Sequence, residues 1–132
     1  MEHFGNTKNI TPHLDSLADK GLFFTNLYAS GTRTVRGLEA ITLSIPPVPG
    51  QSIIKRPDNK NLFTIGSVFR SKGYTAQYIY GGYSYFDNME AFFSGNGYEV
   101  KDRSLIKKED IHYQNIWGVA DEDEFSLAIQ TV

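Results

Sequence analysis

The chain has 132 residues, 40% of them apolar and 14% aromatic, with a formal net charge of -2. That length suits one small domain with a real core, and charges of both signs scattered along it exclude the clustered Lys and Arg that a nucleic-acid face needs. The absence of cysteine excludes disulfide scaffolds, thiolate metal sites and thiol catalysis, no apolar run approaches the roughly 18 residues of a membrane span, and the polar start MEHFGNTKN reads as no signal peptide.

Thr11-Pro12 opens the first helix in the chain. Threonine is a good N-cap, and proline suits a first position whose N–H has no helical partner. Leu14, Leu17 and Ala18 follow at helical spacing, and Gly21 stands where a C-terminal cap belongs. Leu22–Ala29 reads as a mostly buried strand, ended by the polar turn Ser30–Thr34. A second helix is predicted from Thr34 or Val35, with Leu38, Ile41 and Ile45 on its apolar face and Pro46-Pro47 as its stop. Residues 46–60 are loop, rich in proline and turn residues.

A third helix is predicted from Asn61 to Lys72, striped by Leu62, Ile65 and Phe69 and ended by Gly73. Tyr74–Tyr80 alternates as a strand, and Gly81-Gly82 breaks it. A short helix from Asp87 carries Met89, Phe92 and Phe93, closes at Gly95-Asn96-Gly97, and leads to an extended piece at Tyr98–Val100. The last helix starts at Asp121, with Glu124 completing a capping box and Phe125, Ala128, Ile129 and Val132 on its apolar side. This alternation predicts an α/β fold with a largely parallel sheet and flanking helices. A sheet of only about three strands, and an ending inside a helix, predict a piece of a larger domain.

Two segments carry candidate chemistry. The turn Ser30–Thr34 lies between a strand and a helix start, where free backbone N–H groups favour an anion. Arg33 and Arg36 add positive charge there, so a threonine hydroxyl would face a bound oxyanion. The plainer reading is an ordinary capped helix. The second segment, Tyr80–Asn88, follows a strand, the edge where open α/β sheets bind ligands. Tyr80, Asp87 and Asn88 are its candidate substrate contacts. Its plainer reading makes Asp87 an N-cap and the aromatics packing. The run Asp121–Glu124 reads as an acidic helix start rather than a calcium loop. His3, His13 and His112 lie among polar residues and read as surface histidines.

The stretch TPHLDSLADKGLFFTNLYASGTRTVRGLEA resembles the nucleophile region of the phosphoglycerol-transferase and lipoteichoic-acid-synthase branch of the alkaline-phosphatase superfamily. Further pieces extend the resemblance over nearly the whole chain: the Pro-Pro-x-Pro-Gly loop, Asn-Leu-Phe-Thr-Ile-Gly, Tyr-Gly-Gly-Tyr-x-Tyr-Phe-Asp-Asn-Met and Trp-Gly-Val-Ala-Asp-Glu-Asp. The resemblance implies a partial alkaline-phosphatase-like sandwich. It implies Thr34 as nucleophile and metal ligand, with Thr32 as the competing hydroxyl. It implies a divalent metal, Mn²⁺ or Zn²⁺ with Mg²⁺ or Ca²⁺ as alternatives. It also implies a membrane-anchored parent whose catalytic domain faces the periplasm or exterior, and a phosphate-ester lipid or glycan as substrate.

Four departures qualify it. The family's upstream metal-binding acid has no counterpart, and no Asp-His dipeptide occurs. The chain alone is therefore expected to be inactive and to bind no metal tightly, with the remainder of its own catalytic domain as its partner. A missing central strand would leave an open sheet edge and allow self-association. Tyr80, Gly82, Asp87 and Met89 stand where the family's glycerol-phosphate contacts are His, Asp, Trp and Arg. The Cys/Ser-x-Pro-x-Arg motif of formylglycine sulfatases is absent. A non-catalytic module that keeps the fold is the alternative reading.

Overall fold

The computed structural model describes residues 1–131; Val132, expected on the last helix, lies outside them. Among the described residues five α-helices and two strands are formed, besides short 3-10 turns: α1 Pro12–Ala18, α2 Thr34–Leu43, α3 Ile65–Arg70, β1 Gln77–Tyr80, α4 Met89–Gly95, β2 Glu99–Asp102 and α5 Asp121–Gln130. The strands pair in parallel, with Gln77 opposite Glu99 and Tyr80 opposite Asp102, and α4 connects them. The fold is α/β, a parallel pair with flanking helices, as expected.

The core forms where α4 covers this pair. Met89, Phe92 and Phe93 are the helix's buried face, at the spacing of neighbouring turns. Phe93 stacks on Tyr78, ring centroids 3.7 Å apart, and Val35 and Ile54 close the cluster from α2 and the loop before α3. Asn96 locks the C-terminus of α4. Its amide donates to the Asn59 and Phe92 carbonyls, each at 2.7 Å, and accepts from the Leu62 N–H at 2.7 Å.

The expected strand Leu22–Ala29 does not form. A strand needs a neighbouring row of backbone partners, and none lies beside it among the described residues. Phe23 packs against His3 and Phe4, while Leu22, Phe24, Leu27 and Tyr28 are exposed. The sheet accordingly has two strands rather than three. Other expected core stripes also face outward: Leu14 and Leu17 on α1, Ile41 on α2, Phe125 and Ile129 on α5.

Several boundaries and caps also differ. Thr11 does not cap α1; its hydroxyl donates instead to Asp15 at 2.8 Å. The helix ends at Ala18, before Gly21. His3 also contacts Asp15, and chiefly through that hydrogen bond Asp15 falls to a pKa of about 2. α3 starts at Ile65, because Thr64 and Ser67 form a reciprocal capping box that sets the boundary. Asp121 is the first residue of α5 rather than its cap, so no capping box with Glu124 forms.

α2 is tied to the rest by a charge its sequence pattern hides. Glu39 is fully buried. Its carboxylate accepts from Arg36 one turn earlier at 3.2 Å and from the Ile53 backbone N–H at 3.3 Å. Ser52 adds a bond to the Val35 carbonyl. In the full-length protein Glu39→Ala should therefore lose about 3 kcal/mol in chemical denaturation, as truncating one partner of a buried pair does. A loss below about 0.5 kcal/mol, the scale of an ordinary surface change, would show that this carboxylate does not hold the helix.

Candidate active site at the head of helix α2

Thr34 is the first residue of α2 and is exposed. No side chain caps the helix, so its leading N–H groups face outward with the positive end of the dipole. Gly31 allows the preceding turn to lie on the stem of Arg36, because a Cβ there would come within 2.6 Å of the Arg36 Cβ.

Beside Thr34 opens a pocket of about 470 Å³, bordered by Thr32, Arg33, Arg36, Ser52, Lys55 and Asp87 among others. Its walls come from the turn before α2, the loop before α3, and the loop after β1. Thr32 is on this wall; Thr34 is not one of its lining residues, although its chain neighbours Arg33 and Val35 both are. Arg33 is exposed, and among the described residues no ion pair holds its guanidinium. Arg36 also borders the pocket, but its donors engage Glu39 and the Val48 and Gly50 carbonyls. It thereby anchors the 48–50 loop.

The expected substrate contacts after β1 separate. Asp87 borders the pocket and pairs with Lys55 at 2.5 Å. Asn88 turns away and donates to the Ile54 carbonyl at 2.8 Å. Both are left-handed, at φ 54° and 63°, a region that Asp and Asn tolerate better than other non-glycine residues. This bend, rather than an Asp87 N-cap, leads into α4. Tyr80 does not border the pocket. Its ring packs against Gly82 and the core, and burial, then Glu124 and Asp87, push its hydroxyl pKa up.

Sequence reasoning missed Lys55 and Ser52. The available clue was the basic pair Lys55-Arg56 after an uncharged run from Pro46 to Ile54. Their position depends on Glu39 and Ile53, which no local pattern reveals.

Glycines hold the loop after β1 against the chain that follows β2. A Cβ at Gly82 would lie 2.5 Å from the Trp117 carbonyl oxygen, and one at Gly118 2.6 Å from that of Gly81. Asp102, at the end of β2, accepts from the Ser84 N–H at 2.9 Å and hydroxyl at 2.7 Å, and from both groups of Ser104. Burial opposes ionisation of Asp102, but the Ser104 and Ser84 bonds prevail and hold its pKa down.

His112, Glu122 and Asp123 offer ligand atoms within 4.8 Å of one another. Asp123 is buried and already accepts from the His112 ring at 2.6 Å and from its backbone N–H at 3.0 Å. This contact pins the loop before α5 to its first turn. It lies among residues outside the Thr34 pocket.

Residues 1–131 match the family model described as Sulfatase. A crystal structure from Vibrio parahaemolyticus, described as a protein in the alkaline phosphatase superfamily, is 39% identical with a TM-score of 0.84. The match covers 91% of this chain and 29% of that one, so this chain spans less than a third of its length.

The hydrogen bond to Asp123, then its charge, raises the His112 pKa above 6.5; the same bond lowers Asp123 below 3.8. The pair is thus fully formed between the two. It weakens as pH rises through the raised His112 value, or falls through the lowered Asp123 value. An NMR titration should place His112 above 6.5, and Asp123→Asn should return it to about 6.5. A wild-type value at or below 6.5 would contradict the pairing.

Proposed function

The chain belongs to the sulfatase family, and from that premise we propose that it bears the nucleophile of a phosphate- or sulfate-ester transferase or hydrolase. Membership of this group points to ester chemistry of that kind. The observation that carries the finer reading is Thr34: an exposed hydroxyl at an uncapped start of a ten-residue helix, beside a pocket bordered by Arg33 and Lys55.

In this reading Thr34 Oγ forms a bond to phosphorus or sulfur as the ester's bond to its alcohol breaks. The proton leaving the threonine balances the one gained by the departing alcohol. A second alcohol or water then attacks the threonine ester and frees the hydroxyl. Arg33 and Lys55 offset the anionic charge, and α2 presents its N–H groups to it. The phosphoglycerol-type reaction, the cell-envelope lipid or glycan substrate and the membrane-bound parent belong to this proposal. Among the described residues, no helix is long and apolar enough to cross a membrane.

Sulfatase-family enzymes typically use a divalent metal. The residues around Thr34 do not make a metal site by themselves. Asp87 is paired to Lys55, and Glu39 is enclosed by Arg36 and Ile53. Thr34 offers one oxygen where a bound ion needs several ligands. Further ligands, and the cover for the outward-facing apolar residues, belong in this proposal to the rest of a larger catalytic domain.

Thr32 borders the pocket directly, which makes it the specific rival. In the full-length protein Thr34→Ala should lower kcat by about a thousandfold or more, as loss of a nucleophile does, while Thr32→Ala stays within about threefold. Steady-state kinetics with a p-nitrophenyl phosphate or sulfate ester measures both. The reverse ordering would assign the chemistry to Thr32.

A further inference from the structure

At the carboxyl end of β2 lies a second pocket of about 640 Å³, bordered by Tyr83, Arg103, Lys107, Lys108 and Gln114 among others. The ester chemistry at Thr34 gives it no role. It has three cationic side chains on its wall and no acidic one. Among the described residues, Arg103, Lys107 and Lys108 form no ion pair. Arg103 donates to the Gln114 side-chain oxygen and the Asn115 carbonyl, both neutral. Its guanidinium sits 4.7 Å from the centre of the Tyr83 ring. The charged side chains on this wall are all cationic, so the wall is positive within a chain of net charge -2.

Aromatic rings continue from this pocket toward Thr34. Tyr83 stacks on Tyr85 with centroids 5.6 Å apart, and Phe86 meets the Trp117 ring edge-on at 6.0 Å. All four rings are exposed. Exposed rings beside cations offer a flat apolar surface for the C–H face of a sugar, with donors for its acidic substituents. A lipid headgroup would satisfy the charges and leave the ring surfaces unused. Tyr83 borders this pocket and Phe86 borders the Thr34 pocket. Three residues of chain reach at most about 11 Å, a gap that a short oligosaccharide spans.

We propose that this pocket is a subsite for an acidic sugar, one unit of an anionic oligosaccharide whose ester-bearing unit lies at Thr34. The inference rests on the ester chemistry proposed for Thr34 and names its substrate class. Asp102 positions the subsite by holding Ser84 and Ser104, the neighbours of Tyr83 and Arg103.

The test is calorimetric titration of the full-length protein with a heparin-derived sulfated tetrasaccharide, with neutral maltotetraose, and with phosphatidylglycerol vesicles. The sulfated tetrasaccharide should bind, and more weakly as salt rises; maltotetraose should not. The exposed double variant Lys107→Glu/Lys108→Glu should weaken that binding by about tenfold or more. Tyr83→Ala should weaken it by about fivefold through the lost ring face. Neither should alter kcat/KM on the small p-nitrophenyl ester, which is too short to reach the subsite. Unchanged tetrasaccharide affinity in both variants, equal binding of maltotetraose, or charge-dependent binding of the vesicles without the tetrasaccharide would each overturn the subsite. The two readings fail separately. Small-ester turnover that survives Thr34→Ala removes the nucleophile and leaves a charge-dependent glycan site standing. Turnover lost with Thr34→Ala, but no charge-dependent binding, removes the subsite alone.

Discussion

A buried carboxylate at Glu39 fixes the geometry on which the candidate site depends. It sits on the inward face of α2, accepts from Arg36 one turn earlier and from the Ile53 backbone in the following loop. Arg36 in turn holds the Val48 and Gly50 carbonyls. One charge therefore joins the helix that begins with Thr34 to the loop that carries Ser52 and Lys55. An unpaired charge in that position would be costly, so pairing and loop path are coupled.

A second constraint works at the ends of the two strands. Asp102 closes β2 and gathers Ser84 and Ser104, while Gly82 and Gly118 allow two backbone segments to approach within van der Waals contact. These contacts bring the loop after β1 against the loop after β2. The Thr34 pocket and the cationic pocket then lie along one edge, joined by the short run from Tyr83 to Phe86. The carboxyl edge of a parallel sheet is where such folds bind ligands. Here that edge joins an anion-facing hydroxyl to a cationic, aromatic surface.

Much of this was legible in the sequence where local rules decide. The run Met89, Phe92, Phe93 specifies its buried helical face, and Gly95-Asn96-Gly97 its end; both are as expected. The turn before α2 and its first residue, Thr34, fall where the spacing puts them. Legibility failed where burial depends on partners distant in the chain. Leu22–Ala29 has the composition of a strand, but without a neighbour its backbone stays irregular and all its side chains except Phe23 stay exposed. The stripe on α2 was misread because Glu39 and Thr42, both polar, take the inner positions while Ile41 faces out. Hydropathy cannot anticipate a buried acid whose partner is a backbone N–H at Ile53. Likewise, nothing in the order of residues announces that Tyr83 and Arg103 will meet. They do so because Asp102 holds the serines beside them.

The central claim is that the hydroxyl of Thr34 takes up the transferred group. Its most direct test is to quench the full-length enzyme during turnover of a slow ester and map the adduct by peptide mass spectrometry with fragmentation. The account predicts a phosphoryl or sulfuryl group on Thr34. An adduct located on Thr32 or on any other side chain, in protein shown to be turning over, would contradict it.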